Sequence, residues 1–217
     1  MRYVGPRHFH IDTPPFVPVP WVPDGSFGGR TVVIVGGGPS HAALDLKALK
    51  GIRFIAVNSA CRKVRPVATA DDLLIFTDNA WAENRPELVT TWPGPVVTAN
   101  SRAKARLGDK VRYLDVTTLT QAMGVMPDHA QASSGHIAAC LAVTMGALKL
   151  VLVGFECRAI NGRTHGHDDY SQHDLAAFDE RFIPGWRRLA QVFAERKVEV
   201  VNASPGSALD IFSFGTL

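Results

Sequence analysis

The side chains most able to do chemistry follow one apolar segment in the second half of the chain, residues 148–153. After it come charged and polar residues with almost no hydrophobic interruption: Glu156, Arg158, Asn161, Arg163, His165, His167, Asp168 and Asp169. Histidine exchanges protons near neutral pH, and arginine binds phosphate or carboxylate with two parallel hydrogen bonds. Loops at the carboxyl ends of strands hold ligands in α/β proteins. The sequence therefore predicts a site for a charged small molecule in this loop.

Short apolar runs alternate with helical patterns from residue 31 onward, which is typical of an α/β domain. The predicted strands are Thr31–Val35, Arg53–Val57, Leu73–Phe76, Pro95–Val97, Val111–Leu114, Lys149–Val153 and Val198–Val201. Helices are predicted from Pro39 to Leu49, from Ser134 to Met145 and over Pro184–Val192. We expect one doubly wound, Rossmann-like domain with a mostly parallel sheet over residues 31–217.

Residues 1–30 form a Pro-rich N-terminal arm that differs from this domain. Its prolines favour polyproline II and forbid a helix, and the Gly-rich stretch 24–29 predicts a flexible joint. Phe16 and Trp21 would otherwise be exposed, so we expect the arm to dock. It either lies across the domain surface or tethers a partner or a second subunit.

A glycine-rich turn follows the first predicted strand, at Gly36, Gly37, Gly38, Pro39 and Ser40. Such a turn brings backbone N–H groups and a helix start close to phosphate. The dinucleotide fingerprint fails, because His41 stands where its third glycine would be and Asn58, not an acid, closes the second strand. A P-loop is absent too, since no Gly-Lys-Ser/Thr follows. A tight turn without a ligand stays open as the alternative.

Further polar residues stand at predicted strand ends and at a helix start. Asn58, Thr77, Asp78 and Asn79 follow the second and third strands, and Ser133, Ser134 and Gly135 open the central helix. Amides and hydroxyls there suit a base, a ribose or a sugar. Each also has a plain structural role, as a turn residue or a helix N-cap.

Composition narrows the function further. The formal net charge is +3 with no run of like charges, which does not favour nucleic acid as a partner. No stretch approaches the roughly 20 apolar residues of a membrane span, and the first residues lack a signal-peptide core. Cys61, Cys140 and Cys157 have no CxxC spacing. We expect a cytoplasmic protein with structural thiols.

Several motifs in this order resemble small bacterial sialyltransferases. Val-Gly-Gly-Gly-Pro-Ser at 35–40 is similar to their Gly-Asn-Gly-Pro-Ser turn, and Ser133-Ser134-Gly135 to their Thr-Ser-Gly helix start. The segment at 204–207 resembles their Pro-Asn-Ser-Leu. Residues 154–156 and 161–165 are similar to the corresponding loop of the motility-associated-factor (Maf) nonulosonic-acid transferases, whose branch includes the hydroxymethylpterin diphosphokinases.

The resemblance implies a nucleotide-binding fold and sugar transfer, with a CMP-linked nonulosonic acid as the donor class and a hydroxyl acceptor. It implies His167 as general base, with His173 as fallback, and Arg158 and His165 against the departing phosphate. Nucleotide and sugar contacts would come from the glycine-rich turn, the strand-end and helix-start residues, Glu156 and Ser207. The chain departs from the pattern at Gly37, which replaces an asparagine, and at the missing phosphate-binding tyrosines.

Two other functions stay open. A diphosphokinase would move pyrophosphate from ATP and would need Mg²⁺, with Asp78, Asp168 and Asp169 as ligands. A non-catalytic binding or assembly protein, bacterial or phage-encoded, would keep only the fold. A metal site at residues 165–169 lacks the thiolates or helical spacing of strong zinc signatures. We therefore predict no metal site and no obligatory cofactor for sugar transfer.

Overall fold

An eight-stranded, all-parallel sheet forms the centre of the protein. The computed structural model describes residues 18, 20–43, 45–49, 51–124, 133–169 and 175–216. The strands are β1 (Thr31–Val35), β2 (Arg53–Val57), β3 (Leu73–Phe76), β4 (Val96–Thr98), β5 (Arg112–Tyr113), β6 (Lys149–Val153), β7 (Glu199–Asn202) and β8 (Ser213–Phe214). Their order is β5-β4-β3-β2-β1-β6-β7-β8. The predicted doubly wound α/β class is confirmed.

Both faces of the sheet are buried, which explains the continuous apolar runs of its central strands. Along β1, Val32 and Ile34 belong to one core cluster and Val33 and Val35 to the other. This alternation follows from the two-residue period of a strand. β6 pairs with β1 from Thr31↔Lys149 to Val35↔Val153, so both strands end level with each other.

Helices cover both faces. They are α1 (Cys61–Val64), α2 (Asn79–Asn84), α3 (Pro86–Thr90), α4 (Ser101–Leu107), α5 (Val116–Met123), α6 (Ser134–Thr144) and α7 (Ile183–Glu195). Helix α6 is buried from Ser134 to Val143 because it packs between the sheet and its neighbours α5 and α7. A π-helical turn, Phe178–Phe182, leads into α7. No helix within the described residues is long and apolar enough to cross a bilayer.

The helix predicted from Pro39 to Leu49 is wrong. Two 3₁₀ turns stand there, Pro39–Ala43 and Leu46–Leu49. The backbone N–H of His41 bonds the Gly38 carbonyl three residues back (3.3 Å), and Nδ1 of the His41 ring meets the same oxygen at 2.6 Å. These two hydrogen bonds to the same carbonyl oxygen favour the tighter i to i+3 winding of a 3₁₀ turn.

The described end of the arm packs on the domain. The Trp21 N–H donates to the Tyr113 carbonyl (2.6 Å), and the Arg112 guanidinium lies 5.0 Å from the Trp21 ring centroid. Phe27 is 1% exposed and belongs to the core, with its N–H bonded to the Met145 carbonyl (3.0 Å). The flexible joint predicted at 24–29 is therefore a packed turn. Phe16 lies outside the described residues.

The chain reverses its direction of travel across the sheet between β1 and β6. It builds β1 to β5 toward one edge, crosses through α5 and α6, and resumes at β6 on the other side of β1. Ligands of doubly wound folds bind outside the strand carboxyl ends at this switch point. The fold therefore predicts a ligand site among the residues that follow β1 and β6.

Candidate functional site

A pocket of about 460 Å³ lies at this switch point. Residues that follow four strands line it: Gly36, Gly37 and Gly38 after β1, Asn58 after β2, Thr77 and Asp78 after β3, and Gly154, Phe155, Glu156 and Cys157 after β6. The start of α6, the histidine loop and the Phe178–Phe182 turn complete the wall. Its size falls within the roughly 300–1,000 Å³ of sites for small ligands.

Glu156 occupies the inner side of the glycine-rich turn. Its carboxylate is buried at 1% exposure, and Oε1 accepts the Ser40 N–H (2.8 Å). A Cβ on Gly38 would lie 1.7 Å from Oε2, so only glycine allows this approach. The N–H groups of Gly36 and Gly38 bond the Val153 and Gly154 carbonyls. The turn therefore has few N–H groups left for a phosphate.

Three buried oxygens in or beside this turn have no hydrogen-bond partner among the described residues: Oγ of Ser40, Oε2 of Glu156 and Oδ1 of Asn58. Of these residues, Glu156 and Asn58 line the pocket. Asn58 has φ +50, a left-handed conformation that asparagine tolerates better than most residues. A buried acceptor left unpaired costs free energy, which a ligand hydroxyl or amine would recover.

The start of α6 forms the floor of the pocket. Ser134 and Thr77 share a hydrogen bond between their hydroxyls (2.7 Å). Gly135 lies so close to the Phe155 ring that a Cβ would stand 2.5 Å from it. Ser133 occupies the N-cap position, yet its hydroxyl makes no cap bond and instead lies 2.7 Å from Nδ1 of His136.

His136 is fully buried beneath this floor. Its Nε2 lies 3.0 Å from the Phe182 carbonyl, which can only accept, so Nε2 carries the proton and Nδ1 accepts from Ser133. Burial lowers the pKa of His136 to about 4, and the ring stays neutral at neutral pH. His136 thus ties the floor to the Phe178–Phe182 turn.

The histidine loop packs onto the glycine-rich turn. The Gly166 N–H donates to the Gly37 carbonyl (2.9 Å), and the rings of His165 and His167 stack at 5.2 Å with 18° between their planes. A Cβ on Gly37 would lie 3.1 Å from Nε2 of His167. Gly37 stands where the similar turn of the sialyltransferases has asparagine, and the lack of a side chain there leaves room for His167.

Burial is the main cause that lowers the pKa of His167, to about 4. The charge of Asp169 works against this shift, and His41 and Arg62 add to it. At neutral pH the ring of His167 is therefore neutral, with one nitrogen that donates a hydrogen bond and one that accepts. A bound anion would raise its pKa, because an opposite charge favours the protonated ring.

Asp169 anchors the far end of the loop. Its carboxylate accepts from the Ser59 hydroxyl (2.5 Å) and Arg85 Nε (2.7 Å), and Arg62 approaches at 3.3 Å. Its backbone N–H donates to Nδ1 of His167 (3.3 Å). Asp169 therefore holds the ring of His167 in place.

Other predicted site residues lie outside the pocket lining. Arg158 is exposed, and the Ser207 hydroxyl donates to the Phe155 carbonyl (2.7 Å). Asn79 opens α2 and donates to Glu83 (2.7 Å). Pro39 and Ser40 form the outer side of the glycine-rich turn. His173 lies outside the described residues.

Structural roles account for several polar residues of the loop. Asn161 and Gly162, both with positive φ, form the turn of a small hairpin in which Ile160 pairs with Arg163. The guanidinium of Arg163 pairs with the exposed carboxylate of Asp168 (2.7 Å). No group of three or more His, Cys, Asp or Glu within the described residues could hold a metal ion.

Sequence reasoning missed the aromatic and cationic wall of the pocket. Phe155, Phe178, Arg181, Phe182 and Trp186 line it, together with Val57, Gly154, Cys157 and Thr164. Trp186 is 1% exposed, so it also packs in the core. The three cysteines are free thiols, and burial raises the pKa of each to about 12.

Comparison with solved structures finds the same architecture in the sialyltransferase CST-II, determined in complex with a trisaccharide acceptor and CMP. The two chains superpose with a TM-score of 0.57 at 12% sequence identity, over 85% of this chain and 86% of CST-II. The protein has a sialyltransferase-like fold. No family model matches the chain, and no curated protein does so.

At the level of architecture, the sialyltransferase-like fold confirms the resemblance that the sequence motifs indicated. At 12% identity the likeness carries no residue roles. Likeness to the Maf transferases and the diphosphokinases stays a prediction.

Proposed function

We propose that the protein is a glycosyltransferase that binds a nucleotide-activated sugar and transfers the sugar to a hydroxyl acceptor. The donor class is a CMP-linked nonulosonic acid of the sialic-acid type. The observation that carries the proposal is a polar pocket at the switch point of a sialyltransferase-like fold, lined by Asn58, Ser134, Glu156 and His167. The presence of CMP and a trisaccharide acceptor in CST-II supports the donor and acceptor classes.

The unpaired acceptors of the pocket favour a ligand rich in hydrogen-bond donors. Oε2 of Glu156 and Oδ1 of Asn58 are buried, and a ribose diol, a cytosine amine or sugar hydroxyls would satisfy them. A bare phosphate has no such donors, and the Glu156 carboxylate would repel it. A nucleoside or sugar therefore fits beside Glu156, with its anionic groups placed elsewhere in the pocket.

The stacked histidines supply the proton chemistry. The Asp169 N–H donates to Nδ1 of His167, so the neutral ring carries its proton at Nε2. Nδ1 of His165 lies 3.0 Å from the Thr164 carbonyl, so neutral His165 has its proton there and a lone pair at Nε2. One ring donates to a ligand oxygen and the other accepts a proton from a hydroxyl.

The role of each histidine is open to direct test. The sequence motifs predict His167 as the base and His165 against the departing phosphate. The hydrogen bonds around the two rings favour the reverse, because the lone pair of His165 stands at Nε2. In either assignment the acceptor hydroxyl loses its proton to one ring while the departing phosphate oxygen meets an N–H of the other.

No contact of the described residues favours the diphosphokinase. Its three candidate carboxylates are occupied separately: Asp78 caps α2 through the Ala80 N–H, Asp168 pairs with Arg163, and Asp169 pairs with Arg62 and Arg85. A non-catalytic binding protein remains as an outcome of the experiment below.

The experiment follows release of CMP from CMP-N-acetylneuraminate, with and without a panel of sugar acceptors, in EDTA. We expect wild-type release to persist in EDTA, and both His165→Gln and His167→Gln to lower it at least about 100-fold, as for loss of a general acid or base. Arg163→Ala, in the same loop but outside the pocket, is the control and should retain activity. Nucleotide binding without CMP release would support the binding protein instead.

A further inference from the structure

We propose that Arg181 is the anion-binding residue of this pocket, holding the phosphate of the nucleotide or the carboxylate of the sugar. This assignment rests on the proposed function and adds to it the residue that meets the negative charge of the donor. Arg181 takes the place that the sequence motifs gave to Arg158, because both arginines are exposed but only Arg181 of the two lines the pocket.

The charge distribution of the wall singles out Arg181. Among the described residues that line the pocket, it is the one lysine or arginine. No carboxylate of the described residues forms an ion pair with its guanidinium. Arginine binds phosphate and carboxylate through two parallel N–H bonds, so an arginine with no ion-pair partner among the described residues is suited to an anionic ligand.

The position of Arg181 is set by an unusual backbone. The Phe178–Phe182 segment is a π-helical turn, a rare form that is frequent at functional sites. Nε2 of His136 donates to the Phe182 carbonyl (3.0 Å), 46 residues away in the chain. The rings of Phe178 and Phe182 pack edge to face at 5.6 Å. These contacts fix the turn against the pocket floor.

The guanidinium is also oriented by an aromatic face. Its central carbon lies 5.5 Å from the Phe182 ring centroid, within the range of a cation–π contact. Such stacking holds the planar group without using its N–H donors. The donors therefore remain available to a ligand that enters the pocket.

Charge separation within the pocket supports the assignment. Glu156 follows β6 and packs against the glycine-rich turn, whereas Arg181 lies on the turn that precedes α7. A nucleotide-sugar that carries both hydroxyls and an anionic group can bind Glu156 and Arg181 at once. We therefore expect the hydroxyl-bearing part to lie toward Glu156 and the anionic part toward Arg181.

Calorimetric titrations of wild type and Arg181→Ala test the assignment, with Arg188→Ala as the control. Arg188 is an exposed arginine outside the pocket lining, on the helix α7 that follows the Arg181 turn, so its loss removes the same charge close to that turn. The ligands are cytidine and CMP, which differ by the phosphate, and N-acetylneuraminate and its methyl ester, which differ by the carboxylate charge. Melting temperatures verify that each variant folds.

We expect Arg181→Ala to weaken one anionic ligand about tenfold or more, as for loss of a charge-assisted hydrogen bond. The uncharged partner of that pair should be unaffected, and Arg188→Ala should behave as wild type. Loss with CMP identifies the phosphate, and loss with N-acetylneuraminate identifies the carboxylate. Unchanged affinity for both anions would overturn the role of Arg181 alone. A wild type that binds none of the four ligands would overturn the proposed function as well.

Discussion

Replacing Asp169 by asparagine should destabilise the protein and displace the histidine loop. The side chain of Asp169 is 4% exposed and accepts from Ser59 and Arg85, with Arg62 alongside. Asparagine keeps the shape but loses the charge and one acceptor oxygen. Each charge-assisted hydrogen bond contributes about 1.5–3 kcal/mol.

Solvent reduces that contribution, because the side chains of Arg62 and Arg85 are 46% and 33% exposed. We therefore expect Asp169→Asn to lower the free energy of unfolding by roughly 2–3 kcal/mol in total. For a chain of this length that corresponds to a fall of roughly 4–12 °C in Tm. Differential scanning fluorimetry at pH 7 measures it.

The effect should also depend on pH. Burial opposes ionisation of Asp169, but the Ser59 and Arg85 hydrogen bonds and the arginine charges outweigh it and hold the pKa below its usual value. The stabilisation is therefore complete above about pH 4, the pKa in the unfolded chain, and disappears as the pH falls through the lowered pKa. The Tm difference between wild type and Asp169→Asn should shrink in that range.

Asp168→Asn is the matched control. Its carboxylate is 93% exposed and pairs only with half-exposed Arg163 among the described residues, so its Tm should change by no more than about 2 °C. Equal shifts for the two variants, or no shift for Asp169→Asn, would refute the anchoring role of Asp169.

Two further variants probe the packing around the pocket. Gly38→Ala should lower stability and abolish nucleotide binding, because its Cβ would lie 1.7 Å from the Glu156 carboxylate. Gly25→Ala is the control, and it should leave stability and nucleotide binding unchanged because its Cβ would stand in open space. His136 should contribute a fall of about 1.4 kcal/mol per pH unit to the unfolding free energy from pH 6.5 toward 4, because its buried ring has a pKa of about 4 and takes up a proton only on unfolding. His167, whose pKa is also lowered to about 4, adds a change of the same sign. Denaturant titrations of wild type and His136→Gln at pH 6.5 and 4.5 should give the variant the smaller change, and an equal change would contradict the buried neutral ring.

The central strands were predictable because burial on both faces leaves a local signal. β1, β2, β3 and β6 have the predicted bounds, since each is a run of apolar residues closed by a polar or glycine residue. β8 was missed because it has only two residues, both exposed. Its pairing with β7 depends on the path of the chain rather than on a local pattern.

The pocket was predictable where strand ends determine position, and unpredictable where side-chain direction decides. Asn58 and Ser134 reach the pocket because their elements end or begin there. Arg158 follows β6 closely yet does not line the pocket, whereas Arg181 lines it from a π-helical turn whose Phe182 carbonyl bonds His136. A hydrogen bond between residues 46 positions apart leaves no trace in either local sequence.

Calorimetric titration of CMP into the protein at pH 7 in EDTA tests the central claim most directly. The account predicts saturable binding without added metal, weakened about tenfold or more in Glu156→Gln because a buried acceptor for ligand hydroxyls becomes an amide. Lack of CMP binding by the folded wild type, or binding that Glu156→Gln leaves unchanged, would contradict the placement of a nucleotide in this pocket.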